Sequence, residues 1–308
     1  VKKQKVVKEE DSVSNALALE ALAYGDLSLA MSVSVPLLVT QIISEHGSEE
    51  QKGELLPKLV NGSIFHVGLG INNALLSTDP YQSSVTAEEN GEEIILNGSK
   101  TGVAFANHAN TFLISASNES GECNLYFVNK DQEGVALEDK EFMGLKGAPL
   151  SQINLSNCKI NASQKLGGHN YSINYESLID SSRIGMSALA LGVCQAVLDY
   201  VVPYTNERVA FDEPISNRQS VAFMVADMAI ETEALRLMIY KSAALKDLGE
   251  DFHKQASLTY RFAAHHGMKI GTDGVQLLGG HGFTHEHPVE LWYRNLRAIG
   301  IFEGGAGV

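Results

Sequence analysis

Three runs decide the fold of this chain: Asp273-Gly-Val-Gln-Leu-Leu-Gly-Gly-His-Gly-Phe283, Pro288-Val-Glu-Leu-Trp-Tyr-Arg294 and Ile301-Phe-Glu-Gly-Gly305. An apolar helical pattern runs through Leu278 and meets Gly279 and Gly280, which can end a helix and let a ligand approach the backbone closely. Glu303 follows apolar residues and precedes glycines, a setting that is partly desolvated yet accessible. Removal from water raises the pKa of a carboxylate and strengthens it as a base. The residues alone leave two interpretations of Glu303 open, a general base and a glutamate in an ordinary turn.

These runs resemble the C-terminal signature of the acyl-CoA dehydrogenase family, in which Q-x-L-G-G-x-G-[FY] and P-V-E-x-x-x-R-D lead to I-Y-E-G-T. The matching residues are Gln276, Leu278, Gly279, Gly280, Gly282, Phe283, Pro288, Val289, Glu290, Arg294, Ile301, Glu303 and Gly304. The family's acid, tyrosine and threonine are replaced by Asn295, Phe302 and Gly305. In most of the family a glutamate at the Glu303 position is the catalytic base, so the resemblance implies that role for Glu303.

The composition is that of an ordinary globular protein, with 308 residues of which 44% are apolar and 19% charged. That length is sufficient for two or three domains. The net charge of −14 argues against binding to nucleic acid and against an anionic membrane surface. The 3 cysteines are widely spaced, which is typical of free thiols in a reducing compartment. Glycine and proline punctuate His281, His285 and His287, so these histidines indicate a surface loop and no metal site is predicted.

Apolar residues crowd two stretches between about residues 13 and 46, which predicts buried helices in an N-terminal helical domain, residues 1–64. Ser48-Glu-Glu-Gln51 predicts the start of another helix. The run from Gly47 to Pro57 resembles the G-[ST]-E-E-Q-K-x-x-x-L-P run of the family's N-terminal domain. That run comes later in the family's chain, so the resemblance implies that the first helices of the domain are missing here. No apolar run is expected to be long enough, and free enough of polar residues, to span a membrane.

Short alternating runs begin near residue 65 and are separated by turn signals, of which Asn90-Gly91 and Asn97-Gly98 are the clearest. They predict a middle antiparallel β domain, residues 65–168. Leu96-Asn-Gly-Ser-Lys100 and Met143-Gly-Leu-Lys-Gly147 resemble the L-N-G-x-K and M-G-x-[RK]-[GA] marks of the family's middle domain.

The middle domain also departs from the family pattern at two loops. Where T-E-P-G-x-G-S-D is usual, the chain has Asn72-Asn-Ala-Leu-Leu-Ser-Thr-Asp79, of which only Thr78-Asp79 resembles the pattern. Where x-W-I-T-N follows the lysine, Gly102 replaces the tryptophan and Ala104 replaces the threonine. A flavin ring at this site would lose a stacking wall and a hydrogen bond. The resemblance still implies a substrate contact from Thr78 and cofactor contacts from Asn72, Val103 and Ala104.

From about residue 173 long apolar-periodic segments predict a C-terminal helical bundle, residues 169–308, whose last helix the resemblance places beyond this sequence. Arg208-Val-Ala-Phe-Asp-Glu-Pro-Ile215 is similar to R-x-x-F-G-x-P-I, with Asp212 in place of glycine. Gln219 opens a run similar to Q-x-x-x-F-x-[LM]-A-[DE]-M. The family uses such residues to hold FAD at a subunit interface, where an arginine and glycine amides suit a pyrophosphate. The resemblance implies FAD contacts from Arg208, Phe211, Gln219, Gln276, Gly279, Gly280 and Gly305.

Asp180-Ser-Ser-Arg-Ile-Gly185 resembles the family's D-x-x-R segment near the acyl-CoA. The resemblance implies substrate contacts from Asp180 and Arg183, and from Gly304 beside the base. In isovaleryl- and long-chain-type members, the residue before this arginine is a glutamate that serves as the base. Ser182 stands there and cannot take that role, so Glu303 is the candidate that matches a base position.

The resemblance covers about residues 13–308 and implies an α+β multidomain fold with an N-terminal helical domain, a middle β domain and a C-terminal domain like a four-helix bundle. It implies FAD-dependent α,β-dehydrogenation of an acyl-CoA thioester by a homo-oligomer, a tetramer or dimer. The electrons would pass to an electron-transfer flavoprotein or a similar acceptor, in the cytoplasm or, in a eukaryote, the mitochondrial matrix. Two alternatives remain open. One is another flavin enzyme, such as an acyl-CoA oxidase or monooxygenase, and the other is a non-catalytic acyl-CoA-binding paralogue with a degraded flavin site.

Overall fold

A computed structural model describes residues 11–61, 67–73 and 79–302 of the chain. The first three helices are α1 (Ser12–Gly25), α2 (Leu27–His46) and α3 (Glu49–Val60). Each begins after a polar cap whose side chain accepts a backbone N–H of the first turn: Asp11, Asp26 and Ser48. At the start of α3, Ser48 and Gln51 form a reciprocal capping box, as their spacing predicted.

The middle of the chain forms a seven-stranded sheet. Its strands are β1 (Val67–Gly70), β2 (Val85–Asn90), β3 (Glu93–Ala104), β4 (Thr111–Ser117), β5 (Cys123–Asn129), β6 (Val135–Lys140) and β7 (Leu150–Asn161). Their order is β1-β4-β2-β3-β7-β6, with β5 paired to β4. Most neighbouring pairs are antiparallel as predicted, but β4 pairs in parallel with β1 and, through Thr86 and Ser117, with β2. The sheet is therefore mixed.

The C-terminal part contains the helices α4 (Tyr175–Glu207), α5 (Gln219–Asp247), α6 (His253–Leu278) and α7 (Val289–Ile299). A small hairpin of β8 (Val209–Ala210) and β9 (Glu213–Pro214) joins α4 to α5. Helix α1 lies directly on α4, because a Cβ at Gly192 would be 2.2 Å from the carbonyl oxygen of Glu20. Residues of α1 and of the bundle share one apolar core. The predicted order of helices, sheet and bundle is confirmed, and the boundaries at residues 64 and 168 stay predictions.

Two of the described helices, α2 and α4, are long and apolar enough to cross a membrane by length and composition. The sequence-based expectation that no stretch would meet that criterion is wrong. In α4, 72% of the most apolar window is buried inside the protein. A helix that packs against neighbours on most of its faces is apolar nearly all round, which explains the pattern of α4.

Candidate active site

A cavity of about 110 Å³ lies where the N-terminal helices, the sheet and the bundle meet. Helices α1, α2 and α4 form one side, and β1, β3 and the residue Phe302 form the other. Within the described lining the charged side chain is Lys246, which lies 3.4 Å from Glu45 in an ion pair. The apolar lining residues include Ala16, Leu19, Met31, Val35, Leu38, Leu69, Ile71, Ile184, Met186 and Leu189. Such a lining suits an uncharged hydrocarbon group.

The sheet side of the cavity is built from small residues. Gly102 and Ala104 of β3 line it, and Gly102 lies at a register break between β3 and β7. Gly102 has φ +65°, and a Cβ there would lie 2.9 Å from Cε1 of Phe302. The ring of Phe302 thus occupies the space that a side chain at position 102 would need. Val103 is fully buried in the sheet core, so its side chain does not face the cavity.

A buried lysine holds the chain that follows β1. Lys100 is 0% exposed, and its Nζ donates to Oδ1 of Asn73 at 2.9 Å and to the carbonyl of Ile71 at 3.4 Å. Burial lowers the pKa of Lys100 to about 8. The Asn73 amide also donates to the carbonyl oxygens of Asp79 and Gln82. Lys100 therefore supports the segment that carries Asn72 to the cavity wall.

On the bundle side, Asp180 and Arg183 lie together near the start of α4 and both are buried. Nη1 of Arg183 is 3.6 Å from Oδ1 of Asp180 and donates to the Tyr81 hydroxyl at 2.6 Å and to the Ser257 hydroxyl at 2.8 Å. His253 forms a hydrogen bond with Oδ2 of Asp180 at 2.8 Å. The intervening residues Ser181 and Ser182 line the cavity. Asp180 and Arg183 thus form a second layer behind its wall.

The pKa values of both titratable partners in this layer, Asp180 and His253, are raised, for different physical reasons. Burial raises the pKa of Asp180, and the hydrogen bond from His253 and the charge of Arg183 oppose that rise. The hydrogen bond to Asp180 raises the pKa of His253, which is partly exposed. The imidazole is therefore more easily protonated than an isolated histidine, and protonation strengthens its bond to the carboxylate.

Four of the predicted site residues lie outside the described residues: Thr78, Glu303, Gly304 and Gly305. Phe302, the last described residue, is buried against the cavity. The assignment of Glu303 as the base therefore stays a prediction.

The predicted cofactor residues Arg208, Phe211 and Gln219 lie between the end of α4 and the start of α5, and all three are exposed. Phe211 is 87% exposed and has φ +57°, a left-handed conformation that is unfavourable for a bulky side chain. The guanidinium of Arg218 lies 5.1 Å from the centre of its ring. Asp212 has φ +66°, which explains why glycine suits this position in the family pattern.

The remaining predicted cofactor residues, Gln276, Gly279 and Gly280, lie at the exposed end of α6. Gly279 ends the helix with φ +59°, and a Cβ at either glycine would meet nothing within 4 Å. The backbone there is open to close approach by a ligand. This end of α6 and the exposed Arg208 offer the donors that a pyrophosphate requires.

Comparison with known proteins agrees with these observations. The N-terminal, middle and C-terminal domain models of acyl-CoA dehydrogenases match residues 8–63, 75–158 and 174–308. The rat short/branched chain specific acyl-CoA dehydrogenase is 31% identical over 97% of this chain and 71% of its own length. The chain belongs to the acyl-CoA dehydrogenase family.

Solved structures of other family members superpose on the chain. Butyryl-CoA dehydrogenase from Megasphaera elsdenii is 29% identical, with a TM-score of 0.86 over 97% of this chain and 80% of its own. Glutaryl-CoA dehydrogenase from Mycobacterium smegmatis in complex with FADH2 is 27% identical, with a TM-score of 0.87 over 97% of this chain and 77% of its own. As a member of this family, the chain is an oxidoreductase for which a flavin cofactor and an acyl-CoA substrate are implied.

The residues present fit a flavin dinucleotide unevenly. An exposed arginine, an exposed aromatic face and an open helix end suit its anionic and adenine parts. Near the cavity, Gly102 and Ala104 offer neither an aromatic wall nor a hydroxyl, so the chain supplies backbone groups and the ring of Phe302 there.

The structure also identifies residues that the sequence motifs did not reveal. His253, Ser257 and Tyr81 hold Asp180 and Arg183 from elements far away in the chain. Arg218 covers one face of Phe211. Arg218 precedes the predicted Gln219 directly, and its charge beside that motif was an available signal. The other three had none, since each belongs to a segment that reads as core or loop.

No group of three or more histidine, cysteine, aspartate or glutamate side chains that could hold a metal ion occurs in residues 11–61, 67–73 and 79–302. His285 bonds to Glu290, and His287 bonds to Tyr200.

Proposed function

We propose that the protein is an FAD-dependent acyl-CoA dehydrogenase that removes one hydrogen each from the α- and β-carbons of an apolar acyl thioester. The observation that carries the proposal is the apolar cavity, which is lined by Phe302, the residue directly before Glu303 in the sequence. Bound FAD supplies the acceptor for the β-hydrogen as hydride.

In this proposal Glu303 takes the α-proton. That proton is only weakly acidic, so the thioester oxygen must be stabilised while charge develops on it, and a backbone amide at the base position would donate to it. Ser182 also lines the cavity, but a hydroxyl cannot act as the base here. The apolar residues around the cavity exclude water and so strengthen the carboxylate as a base.

The lining supports an uncharged acyl group as the substrate class. Its charged residue within the described lining, Lys246, is neutralised by Glu45 at 3.4 Å. A substrate with a second carboxylate would bring a charge into an apolar site without a free counter-charge, which is costly. We therefore expect butyryl-, branched-chain or medium-chain acyl-CoA to reduce the flavin, and glutaryl-CoA to fail.

For FAD itself, the proposal assigns the pyrophosphate to Arg208 and the glycine amides at the end of α6. The exposed ring of Phe211, with Arg218 on one face, offers a stacking surface for the dinucleotide. Asp212 adds a negative charge close to this surface. The groups that surround the dinucleotide in the family come from two chains.

A second copy of this chain is the proposed partner. Helix α5 exposes Phe223, Ile230 and Leu237 to 62%, 67% and 68%. Their spacing places them along one stripe of the helix, where an apolar row is stable only against another surface. A homodimer or tetramer would cover the stripe, and an electron-transfer flavoprotein or similar acceptor would take the electrons.

The function is tested by Glu303→Gln, which keeps the size of the side chain and removes the base. The variant is expected to retain FAD and acyl-CoA binding, and to reduce its flavin about 10²–10⁴-fold more slowly than the wild type. Stopped-flow absorbance of the flavin after mixing with acyl-CoA measures the rate. Reduction at the wild-type rate would show that another residue is the base.

The small residues at Gly102 and Ala104 favour a second candidate, a non-catalytic acyl-CoA-binding protein with a degraded flavin site. Rapid reoxidation of the substrate-reduced flavin in air, with peroxide formed, would instead indicate a flavin enzyme of this fold that reacts with oxygen. If the protein binds acyl-CoA but no acyl-CoA of any length reduces its flavin, the site is a non-catalytic one.

A further inference from the structure

One face of α6 contacts the layer behind the cavity along its length. The face consists of residues at helical spacing: His253, Ser257, Tyr260 and Ala264. The first two bond to Asp180 and Arg183, both at 2.8 Å. Ala264 lies where its Cβ is 3.4 Å from the position of a Cβ built on Gly300. This face therefore reaches from the start of α4 to the end of α7.

Tyr260 occupies the middle of this face and is 1% exposed. Its hydroxyl has one hydrogen, which is shared between two acceptors, the carbonyl of Ile299 at 2.6 Å and the carbonyl of Phe302 at a short distance. Both acceptors lie at or beyond the C-terminal end of α7, where helix carbonyls lack partners within the helix. The carbonyl of Phe302 belongs to the peptide unit that leads into Glu303.

The ring of Tyr260 is fixed independently of its hydroxyl. The guanidinium carbon of Arg183 lies 5.7 Å from the ring centre, and the ring belongs to the main apolar core. A buried hydroxyl on a fixed ring has few positions available to it, so it holds its acceptor carbonyls in a defined direction.

We propose that Tyr260 is a positioning residue, whose hydroxyl holds the carbonyl of Phe302 and so fixes the backbone directly before Glu303, the proposed base. The inference rests on the proposed function, because it requires Glu303 to be the base. Tyr260 itself neither touches the acyl group nor exchanges a proton in the reaction. Displacement of a catalytic group by about 1 Å costs on the order of 10²-fold in rate.

Tyr260→Phe tests the proposal, because it removes the hydroxyl and keeps the ring in place beside Arg183. The matched control is Tyr240→Phe on α5, which removes a hydroxyl that bonds to Glu20 at 2.8 Å, among other helices. We expect Tyr260→Phe to lower kcat for flavin reduction about 10–100-fold with little change in KM or in bound FAD. Tyr240→Phe is expected to leave kcat unchanged.

Hydrogen exchange followed by mass spectrometry supplies a readout that needs no catalysis. Amides in the peptide that covers residues 299–308 are expected to exchange faster in Tyr260→Phe than in the wild type or in Tyr240→Phe. If wild-type flavin is not reduced by any acyl-CoA, the proposed function fails, and the exchange result still tests the hold on this segment. Wild-type kcat with unchanged exchange in Tyr260→Phe overturns the inference, as does equal loss of kcat in both variants.

Discussion

Each side of the cavity buries a cationic side chain, and the partners of the two cations differ in charge. On the bundle side, Arg183 lies beside the carboxylate of Asp180 and donates to Tyr81 and Ser257. On the sheet side, the hydrogen-bond partners of Lys100 are an amide oxygen of Asn73 and the carbonyl of Ile71. The family pattern that this loop resembles has a glutamate at the position of Asn73, where this chain presents a neutral amide oxygen to the buried ammonium.

The difference shows where departure from the family pattern has an energetic consequence. A buried charge with a counter-charge is tolerated, whereas one with only neutral oxygens is destabilised relative to its unprotonated form. Burial accordingly lowers the pKa of Lys100 to about 8. The bundle side has paired charges, while the sheet side has a buried ammonium with neutral partners and a glycine at position 102.

The largest effect on stability is expected from a variant that removes the buried cation of the Asp180–Arg183 pair. Arg183→Met leaves the Asp180 carboxylate buried with only His253 as a partner, so we expect the free energy of unfolding to fall by about 3 kcal/mol. Urea denaturation at neutral pH measures the loss. Arg294→Met is the control, because Arg294 pairs with Glu290 at a partly exposed site and should cost about 1 kcal/mol or less. Equal losses in the two variants would remove the distinction between a buried and a surface pair.

The next effect concerns the unpaired side and depends on pH. Lys100 titrates at about 8 in the folded protein and at 10.5 in the unfolded chain, so the folded state binds fewer protons between these values. The contribution of Lys100 to the free energy of unfolding therefore rises from about pH 8 to about pH 10.5. This added stability is lost as the pH falls again through 8. At roughly 1.4 kcal/mol per pKa unit, the rise is at most about 3 kcal/mol.

Lys100→Met should abolish this rise, which is measured as the difference between wild-type and variant stability across the pH range. Asn73→Asp sharpens the test, since a carboxylate beside Lys100 should raise its pKa and shift the rise to higher pH. If the free energy of unfolding of the wild type runs parallel to that of Lys100→Met from pH 8 to 10.5, the lysine titrates at its usual pKa.

The smallest expected effect separates backbone strain from crowding at the sheet side. Gly102→Ala places a Cβ 2.9 Å from the Phe302 ring at φ +65°, whereas Gly91→Ala meets nothing within 4 Å at φ +62°. The left-handed conformation costs either alanine about 1–2 kcal/mol. We expect Gly102→Ala to lose about 1 kcal/mol more than Gly91→Ala, because Phe302 must move. Equal losses of stability in the two variants, measured by thermal unfolding, would mean that the Phe302 ring moves aside at no cost.

Much of the fold could be predicted because its signals are local. The Ser48–Gln51 capping box and the Asn90-Gly91 turn are encoded by neighbouring residues whose backbone chemistry allows few alternatives. The parallel pairing of β1 with β4 was not predicted, since the two strands are separated by β2 and β3 and no local pattern records their direction. The apolar run of α4 was predicted as a helix, but its length and burial were visible only in the packed bundle.

The sequence by itself determined the family, the order of helices, sheet and bundle, and the residues proposed for FAD and for the base. Those conclusions follow from short motifs, in which spacing along the chain fixes the chemistry. Tertiary structure alone decided how the site is supported: Tyr81 and Ser257 on Arg183, and Tyr260 on the carbonyl of Phe302. These contacts join residues far apart in the chain, and only packing in three dimensions brings such groups within hydrogen-bond distance.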